Sequence, residues 1–420
     1  MKKIIFMRGY FYPETAASNL MCLDLIKKLS EDGFNVVVYC PVPTRGVDDK
    51  IRKEYKKKKK EKIFPNVTVI RYWLPREKKK VIFRVFRYLL QNFRQLLFGL
   101  THSYDALFMY STPPTNGIVG GIISKIKKVP FYYYLHDIFP DSLLQSGMTT
   151  NDSMVMKIGR EIEQFTYKNA KIIFVISNSM IQNIIKKGVS NEKIELVYNW
   201  VNIENIHHVS REQNCLIDTY NIPKEKFIVT YAGNIGEAQS VETLIEAARI
   251  LKTDESIYFV IIGNGAREDA CKKYAEGLKN IIFLPMQNQK LISEVYSLGD
   301  ISTVLCRKGV GISGMPSKIG SIMAAGTPLL AAFDKDSDLC EIINKYKAGV
   351  CVEPESPEKL ADAIKLLKNA SELRKKYTAN ATDFLHKNMT DKVCTDKISN
   401  LLNNSIVKEE VKLNAGTKNK

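Results

Sequence analysis

One pattern constrains this chain more than any other. Short, nearly continuous apolar runs alternate with longer segments of helical period, and the alternation occurs twice. In the first half the runs are KIIFM (3–7), NVVVYC (35–40), VTVIRY (67–72), DALFMY (105–110), PFYYYL (130–135), KIIFVI (171–176) and KIELVY (193–198). Helical patterns lie between them at 19–31, 115–127 and 177–187. Strands apolar on both faces and spaced by helices belong to a parallel sheet covered on both sides. The polar stretch 199–215 has no clear period and reads as a linker. The alternation then restarts with FIVTYAG (227–233), IYFVIIG (257–263), NIIFLP (280–285), DISTVL (300–305) and TPLLAA (327–332). The expected fold class is α/β, with two Rossmann-like doubly wound domains facing a cleft. Ligands are expected at the carboxyl ends of the strands, where loops run into helix N-termini. The expected divisions are 1–200, 201–390, a C-terminal helix over 391–404 and a disordered tail over 405–420.

A chain of 420 residues, 45% apolar, can bury a sizeable core. Its eight cysteines show no CxxC or Cys/His ligand spacing, so reduced, mostly buried thiols are expected and a zinc site is not. The opening MKKIIFMRGY has an apolar run too short for a signal peptide. No stretch approaches the roughly 18 apolar residues of a spanning helix, so the expected location is cytoplasmic. The net charge of +17 is unevenly placed: residues 50–95 hold 17 Lys/Arg against 3 Asp/Glu, a net of +14. Such a local excess implies a partner or a solvated loop rather than a property of the fold.

Three loops of the second half have the wording of an anion site. AGNIGEAQS (232–240) follows a strand and precedes a helical pattern. Gly233 and Gly236 let its backbone approach a ligand, and Asn234 and Gln239 stand beside them. GNGAR (263–267), with Gly263 and Gly265, has the same setting. VGISGMPSKIGSIMAAG (310–326) opens a small-residue helix, with Pro316 suited to its first turn, Ser317 placed to cap and Lys318 adding a full charge. Any one of these is ordinary turn chemistry; three on one domain favour a nucleotide. GxxxxGK[ST] is absent, the first loop is not GxGxxG, and no acidic residue ends the second strand for a ribose, so a dinucleotide is disfavoured.

The chain resembles the GT-B glycosyltransferases of family 4, in particular bacterial transferases that build O-antigen and capsule repeat units. The likeness is carried by FYPETAASNL (11–20), STPPTNG (111–117), HDIFPDSLLQSGM (136–148), NWVN (199–202), YAGNIGEAQ, GNGA and MPSKIGSIMAAGTP (315–328), in family order over nearly the whole chain. The resemblance implies retaining transfer of a sugar, an N-acetylated amino sugar among the candidates, from a nucleotide-diphosphate donor, UDP-linked, to a polyprenyl-diphosphate-linked saccharide in surface polysaccharide biosynthesis. It implies a donor on the second domain, held by Lys318, Ser317 and the helix behind them, and an acceptor on the first. No cofactor or metal is expected, because helix ends and a cation neutralise the leaving diphosphate. The chain departs from the family in its Glu-x7-Glu pair, replaced here by Ser313 and Ser321, and in the Arg and Lys that often follow the first Gly loop.

On the acceptor side, the resemblance places His136 or Asp137 near the transferred sugar, to orient a hydroxyl or stabilise positive charge. Capping of the next helix by Asp137 or Asp141 is the competing reading. Glu14 and Thr15 lie on the loop that would face the donor phosphates. His207 and His208 read as solvated linker residues.

KEYKKKKKEK (53–62) reads as a loop, and PREKKK (75–80) leads into VIFRVFRYLLQNFRQLLFG (81–99). On a helix Arg84, Arg87, Gln91, Arg94 and Gln95 share one face and Phe83, Phe86, Leu90, Phe93 and Leu97 the other. With Lys78, Lys79 and Lys80 this is a basic amphipathic segment suited to an anionic inner-membrane surface and to the acceptor lipid's diphosphate. A peripheral position on the cell membrane's inner face is therefore expected. No nucleic-acid-binding module accompanies the basic patch. Two rival readings are a GT-B-type nucleotide-sugar epimerase and a non-catalytic membrane-bound relative.

Overall fold

The structure is a computed structural model, and it describes residues 1–14, 17–77, 81–145 and 149–417. The chain divides into two compact units. One comprises Met1–Tyr198 together with the C-terminal helix from Cys394 onward; the other is Asn199–Val393.

The first unit is built on eight strands: β1 (Lys3–Met7), β2 (Asn35–Pro41), β3 (Lys60–Phe64), β4 (Val67–Tyr72), β5 (Ala106–Tyr110), β6 (Phe131–Leu135), β7 (Ile172–Val175) and β8 (Ile194–Leu196). Their order in the sheet is β3-β4-β2-β1-β5-β6-β7-β8, parallel except for the antiparallel β3–β4 pair. The strands β5 and β6 are buried along their whole length, as sheets covered on both faces require. The order reverses between β1 and β5, the switch point of a doubly wound sheet.

The lysine run expected as a loop is instead structured. Asp48 accepts from the Ile51 amide and starts the helix Asp49–Lys57, whose Arg52 donates to the carbonyls of Pro43 and Leu74. The strand β3 follows at the sheet edge, and its lysines guard that edge against further pairing.

The second unit has six strands, all parallel: β9 (Phe227–Ala232), β10 (Ile257–Ile262), β11 (Ile281–Leu284), β12 (Ile301–Leu305), β13 (Leu329–Ala332) and β14 (Gly349–Val352). Their order is β11-β10-β9-β12-β13-β14, with the switch point between β9 and β12. The core on one face joins Val229, Tyr231, Leu244, Phe259, Ile261 and Leu360. The segment 199–215 belongs to this unit: Val201 bridges Thr390, Trp200 and Ile206 are buried, and the His207 amide donates to Ser293 Oγ. His207 and His208 are exposed.

Two expectations need correction. The C-terminal helix runs Asp391–Thr417, so residues 405–417 are helical rather than disordered. Ile398, Leu402 and Ile406 recur every four residues and are all buried, which carries the helix past 404. Its return to the first unit is fixed by ion pairs Lys28–Asp396 at 2.8 Å and Lys397–Glu195 at 3.1 Å. The thiols are also not all reduced. Cys340, on the helix Asp338–Tyr346, and Cys351, on β14, form a disulfide across a Cα separation of 5.7 Å.

Candidate active site

In the second unit the three glycine-containing loops meet at the switch point. Gly233 leaves β9 at φ 144°, and its amide donates to the Ile262 carbonyl at 2.9 Å. Ile235 N–H donates to Asn264 O, and Arg267 N–H to Ile235 O, so the first two loops are stitched backbone to backbone. A Cβ on Gly263, at φ 148°, would collide with the Gly233 carbonyl. Glycine is needed there for close approach and for backbone conformation together. Tyr231 Oη donates to Asn234 O at 2.6 Å, and Asn234 Nδ2 donates to Gln239 Oε1 at 3.0 Å.

Lys318 reaches this cluster. Its Nζ lies 2.7 Å from where a Gly233 Cβ would stand and 4.0 Å from the centroid of the Tyr231 ring. The ammonium is buried without a hydrogen-bond partner among the described residues. Burial pushes its pKa down to about 7. A buried cation with only an aromatic face for company is costly unless an anion completes it. Gly233, Asn234, Gly236, Gln239, Gly263, Gly265 and Lys318 are thus brought together.

Pro316 and Ser317 behave differently from expectation. The helix begins at Lys318 and ends at Ala324, so Pro316 precedes its first turn. Ser317 stands at the cap position with helical φ −62° and ψ −23°, and its side chain makes no capping bond. An N-cap hydroxyl needs extended backbone to reach the second or third amide. Ser317 is exposed at the rim instead.

Sequence reasoning overlooked several residues here. Tyr231 was hidden in the strand pattern. Asp334 accepts from the Gly309 and Gly311 amides, both at 2.8 Å, and so holds the loop before Lys318; its signal was a carboxylate just beyond a strand's carboxyl end. Arg267 and Arg307 approach Glu237 at 3.5 and 3.1 Å beside the first Gly loop, and Glu242 and Glu355 pair with them in turn.

In the first unit His136 and Asp137 leave β6. The His136 amide donates to Ser111 Oγ at 3.1 Å, and its ring stacks on Tyr110 with centroids 5.5 Å apart. Arg8 lies over the Tyr110 ring, 3.7 Å from its centroid, and was not anticipated. His136 Nε2 is buried without a partner among the described residues. Burial, with the Arg8 charge, holds the imidazole pKa down to about 3, so the ring is neutral at physiological pH. Asp137 is exposed. Asp141, by contrast, is bound by Arg160 at 2.6 Å and Lys187 at 2.8 Å, which makes it an anchor for the loop.

Glu14 is buried and fully engaged. Oε1 accepts from the Thr44 and Arg45 amides at 2.6 and 2.7 Å, and Oε2 accepts from Phe11 N–H. Its side chain therefore braces two loops. Thr15 lies outside the described residues, as do Lys78, Lys79 and Lys80.

The basic helix is a correction. Val81–Thr101 is helical, but its polar face turns inward. Arg87, Gln91 and Gln95 are 1%, 0% and 0% exposed. Arg87 donates to Pro75 O, Tyr10 Oη and Thr44 Oγ1; Gln91 donates to Asn116 Oδ1; Gln95 donates to Arg8 O. Arg87 is thus unable to meet a membrane or a lipid diphosphate. Arg94 is half-buried, and Arg84 is exposed, 3.7 Å from Glu77. The apolar face looks outward, with Phe86, Leu89 and Phe93 59%, 61% and 63% exposed. The strand ends of β1, β2 and β5 carry polar loops that need partners, and the helix's polar row supplies them.

Comparison with known proteins matches residues 19–205 to the model described as Glycosyltransferase Family 4 and residues 213–384 to Glycosyl transferases group 1. The chain is 29% identical over 271 residues to WcaI of Escherichia coli, named as a colanic acid biosynthesis glycosyl transferase, covering 62% of this chain and 66% of that protein. It is 29% identical over 235 residues to WbjE of Pseudomonas aeruginosa, named as a glycosyltransferase, covering 55% and 58%. It thus spans less than two thirds of the length of these two relatives. The fold matches the Anabaena HepE protein, solved in complex with UDP, at a TM-score of 0.72 and 16% identity over 96% of this chain and 100% of that one.

Proposed function

The chain belongs to the GT-B glycosyltransferases of family 4, and on that premise we propose that it transfers a hexose-type sugar from a UDP-linked donor to a polyprenyl-diphosphate-linked saccharide, with retention, in surface polysaccharide biosynthesis. The observation that carries this reading is the buried Lys318 ammonium over the glycine loops, without a hydrogen-bond partner among the described residues. A diphosphate seated there would receive backbone N–H groups and one cation, and would give Lys318 the counter-charge it lacks. As the bond from anomeric carbon to phosphate oxygen breaks, negative charge builds on the diphosphate, which is where Lys318 stabilises it most. The acceptor hydroxyl forms the new bond to the anomeric carbon, and its proton passes to the departing phosphate oxygen. We assign charge neutralisation to Lys318 and the loops rather than to a resident metal.

His136 and Asp137 are assigned to the acceptor side. A neutral imidazole can hydrogen-bond a sugar hydroxyl but carries no charge to the site. The UDP assignment is supported by HepE, solved with UDP, and the polysaccharide setting by WcaI's name. Among the described residues no helix is long and apolar enough to cross a membrane. The proposed meeting with a lipid-linked acceptor is assigned to the inner membrane surface by the choice of acceptor alone.

The test is thermal stabilisation by UDP, GDP, dTDP and ADP. A ligand at about 100 times its dissociation constant stabilises by roughly 2.7 kcal/mol. Selective stabilisation by UDP, lost in Lys318→Ala, is the expected result. Indifference to all four nucleotides would remove the donor assignment.

A further inference from the structure

Cys340 and Cys351 lie at the root of the loop that leads to Lys318. Cys340 is in the first turn of the helix Asp338–Tyr346, its amide donating to Ser337 Oγ at 3.3 Å, and Cys351 lies in β14 opposite Ala331 of β13. Their sulfurs are bonded to each other and stand 3.7 and 3.9 Å from the Phe333 carbonyl oxygen, just beyond β13. Two carboxylates on the segments so joined hold the loop 307–311. Asp334, before Cys340, accepts from the Gly309 and Gly311 amides. Glu355, after Cys351, accepts from Lys308 N–H at 3.1 Å. Asp334 is also tied to the helix start, its carbonyl accepting from Ser337 N–H at 3.0 Å. Gly311 packs so closely on the Phe333 ring and the Cys306 sulfur that a methyl there would collide with both. The loop before Lys318 is therefore seated on the strand ends and helix start that the disulfide clamps.

We infer that the Cys340–Cys351 pair is a redox switch on the donor site: the disulfide fixes the loop 307–311 and favours nucleotide binding, and the dithiol loosens it. The inference rests on the donor reading of Lys318 and adds a control to that same site. Without the bond, the helix start and β14 are held together by packing alone, and Asp334 and Glu355 no longer share one frame. Lys318 then spends less time over Tyr231, and apparent affinity falls with the fraction of competent chains. Cys351 is half-buried and Cys340 is 1% exposed, so an incoming thiolate reaches the Cys351 sulfur. Attack by a small thiolate of the glutathione class forms a mixed disulfide at Cys351 and releases Cys340 as thiolate. A second small thiolate attacks the small-molecule sulfur of that mixed disulfide and releases Cys351 as thiolate. The two cysteines take up the two protons that the small thiols gave up, and the chain gains two electrons as the small thiols leave joined as one disulfide. Oxidation by a small disulfide runs the same steps backward. At the inner membrane surface proposed above the thiol pool is reducing, and a disulfide in such a compartment is characteristically transient and sensing rather than structural.

The test titrates UDP calorimetrically into the full chain equilibrated with oxidised glutathione or with dithiothreitol. Hydrogen exchange at the Gly309 and Gly311 amides is followed in both states without nucleotide, and peptide mapping checks the Cys340–Cys351 link. UDP should bind the oxidised chain about three- to tenfold more tightly, as for a reduced loop formed roughly a tenth to a third of the time. The two glycine amides should exchange faster on reduction. In the double variant Cys340→Ala/Cys351→Ala both differences should vanish. Equal UDP affinity in the two states would overturn the switch, as would a link that fails to form on oxidation or a redox difference that survives in the double variant. Comparing the oxidised and reduced forms of the unaltered chain decides the matter even where the variant fails to fold. Exchange that responds to reduction while UDP binds neither state supports the redox control of the loop and rejects the donor reading. UDP binding alike in both states rejects the switch and leaves the donor reading standing.

Discussion

The Lys318 ammonium lies 4.0 Å above the centre of the Tyr231 ring and has no other polar partner among the described residues. Tyr231 in turn spends its hydroxyl on the Asn234 carbonyl, so the ring that carries the cation also fixes the first Gly loop. Replacing Lys318 by Met keeps the apolar stem and removes the charge. Donor affinity should fall about 10- to 100-fold, from roughly 1.5–3 kcal/mol for a hydrogen bond to a charged group. Isothermal titration with UDP checks it, and an unchanged affinity would refute the role of Lys318.

The same lysine makes binding and stability depend on pH. Its pKa is about 7 in the folded chain against an ordinary value of 10.5. Between these values the unfolded chain binds the extra proton, so the unliganded protein should gain stability as pH rises from about 7 to 10.5. The penalty is complete below pH 7. Lys318→Met should flatten that rise in urea denaturation. Nucleotide binding should show the opposite trend, weakening above pH 7 as the ammonium loses its proton.

Gly263→Ala tests the loop stitching. The new methyl would meet the Gly233 carbonyl at a backbone φ of 148°. A loss of at least about 1–3 kcal/mol in stability is expected, with nucleotide stabilisation lost alongside. Chemical denaturation and the nucleotide melt read the two effects separately.

His136 should not titrate in the activity profile between pH 5 and 8, because burial and Arg8 hold its pKa at about 3. Its depressed pKa costs stability as pH falls from the ordinary 6.5 toward 3, since only the unfolded chain takes up the proton there. His136→Gln should therefore reduce acid sensitivity in that window while lowering the turnover rate. An inflection near pH 6.5 that vanishes in the variant would contradict the neutral-imidazole assignment.

Arg87 and Arg84 lie on one helix and should behave oppositely. Arg87→Ala leaves Tyr10 Oη, Thr44 Oγ1 and the Pro75 carbonyl short of a donor, costing about 1–3 kcal/mol or more. Arg84→Ala, at an exposed site, should change stability by no more than about 0.5 kcal/mol. Equal effects would mean that the polar face is not the buried one.

The meeting of the glycine loops with Lys318 in the candidate site was legible beforehand. The positions of Gly233, Gly263 and Lys318 followed from strand-to-helix turns, because close backbone approach demands glycine and such turns have local signatures. The contact of Tyr231 with Lys318 and the contacts of Arg8 and Asp334 were not legible, since each joins residues distant in sequence. Glu14 was placed on the right loop, but its side chain is committed to the amides of Thr44 and Arg45, some thirty positions on.

The sequence by itself determined the two parallel sheets, through apolar runs that only a sheet covered on both faces can bury. It also determined the two-sided character of residues 81–99. Only the tertiary structure decided which side faces inward. Periodicity reports that a helix has two faces, while the sign of their burial depends on what lies beneath. Here the neighbours are the open polar loops after β1, β2 and β5, so Arg87, Gln91 and Gln95 turn in and the phenylalanines turn out. The C-terminal helix makes the same point: its four-residue apolar spacing is local, but its docking on the first unit depends on Lys28 and Glu195, which the fold brings beside it.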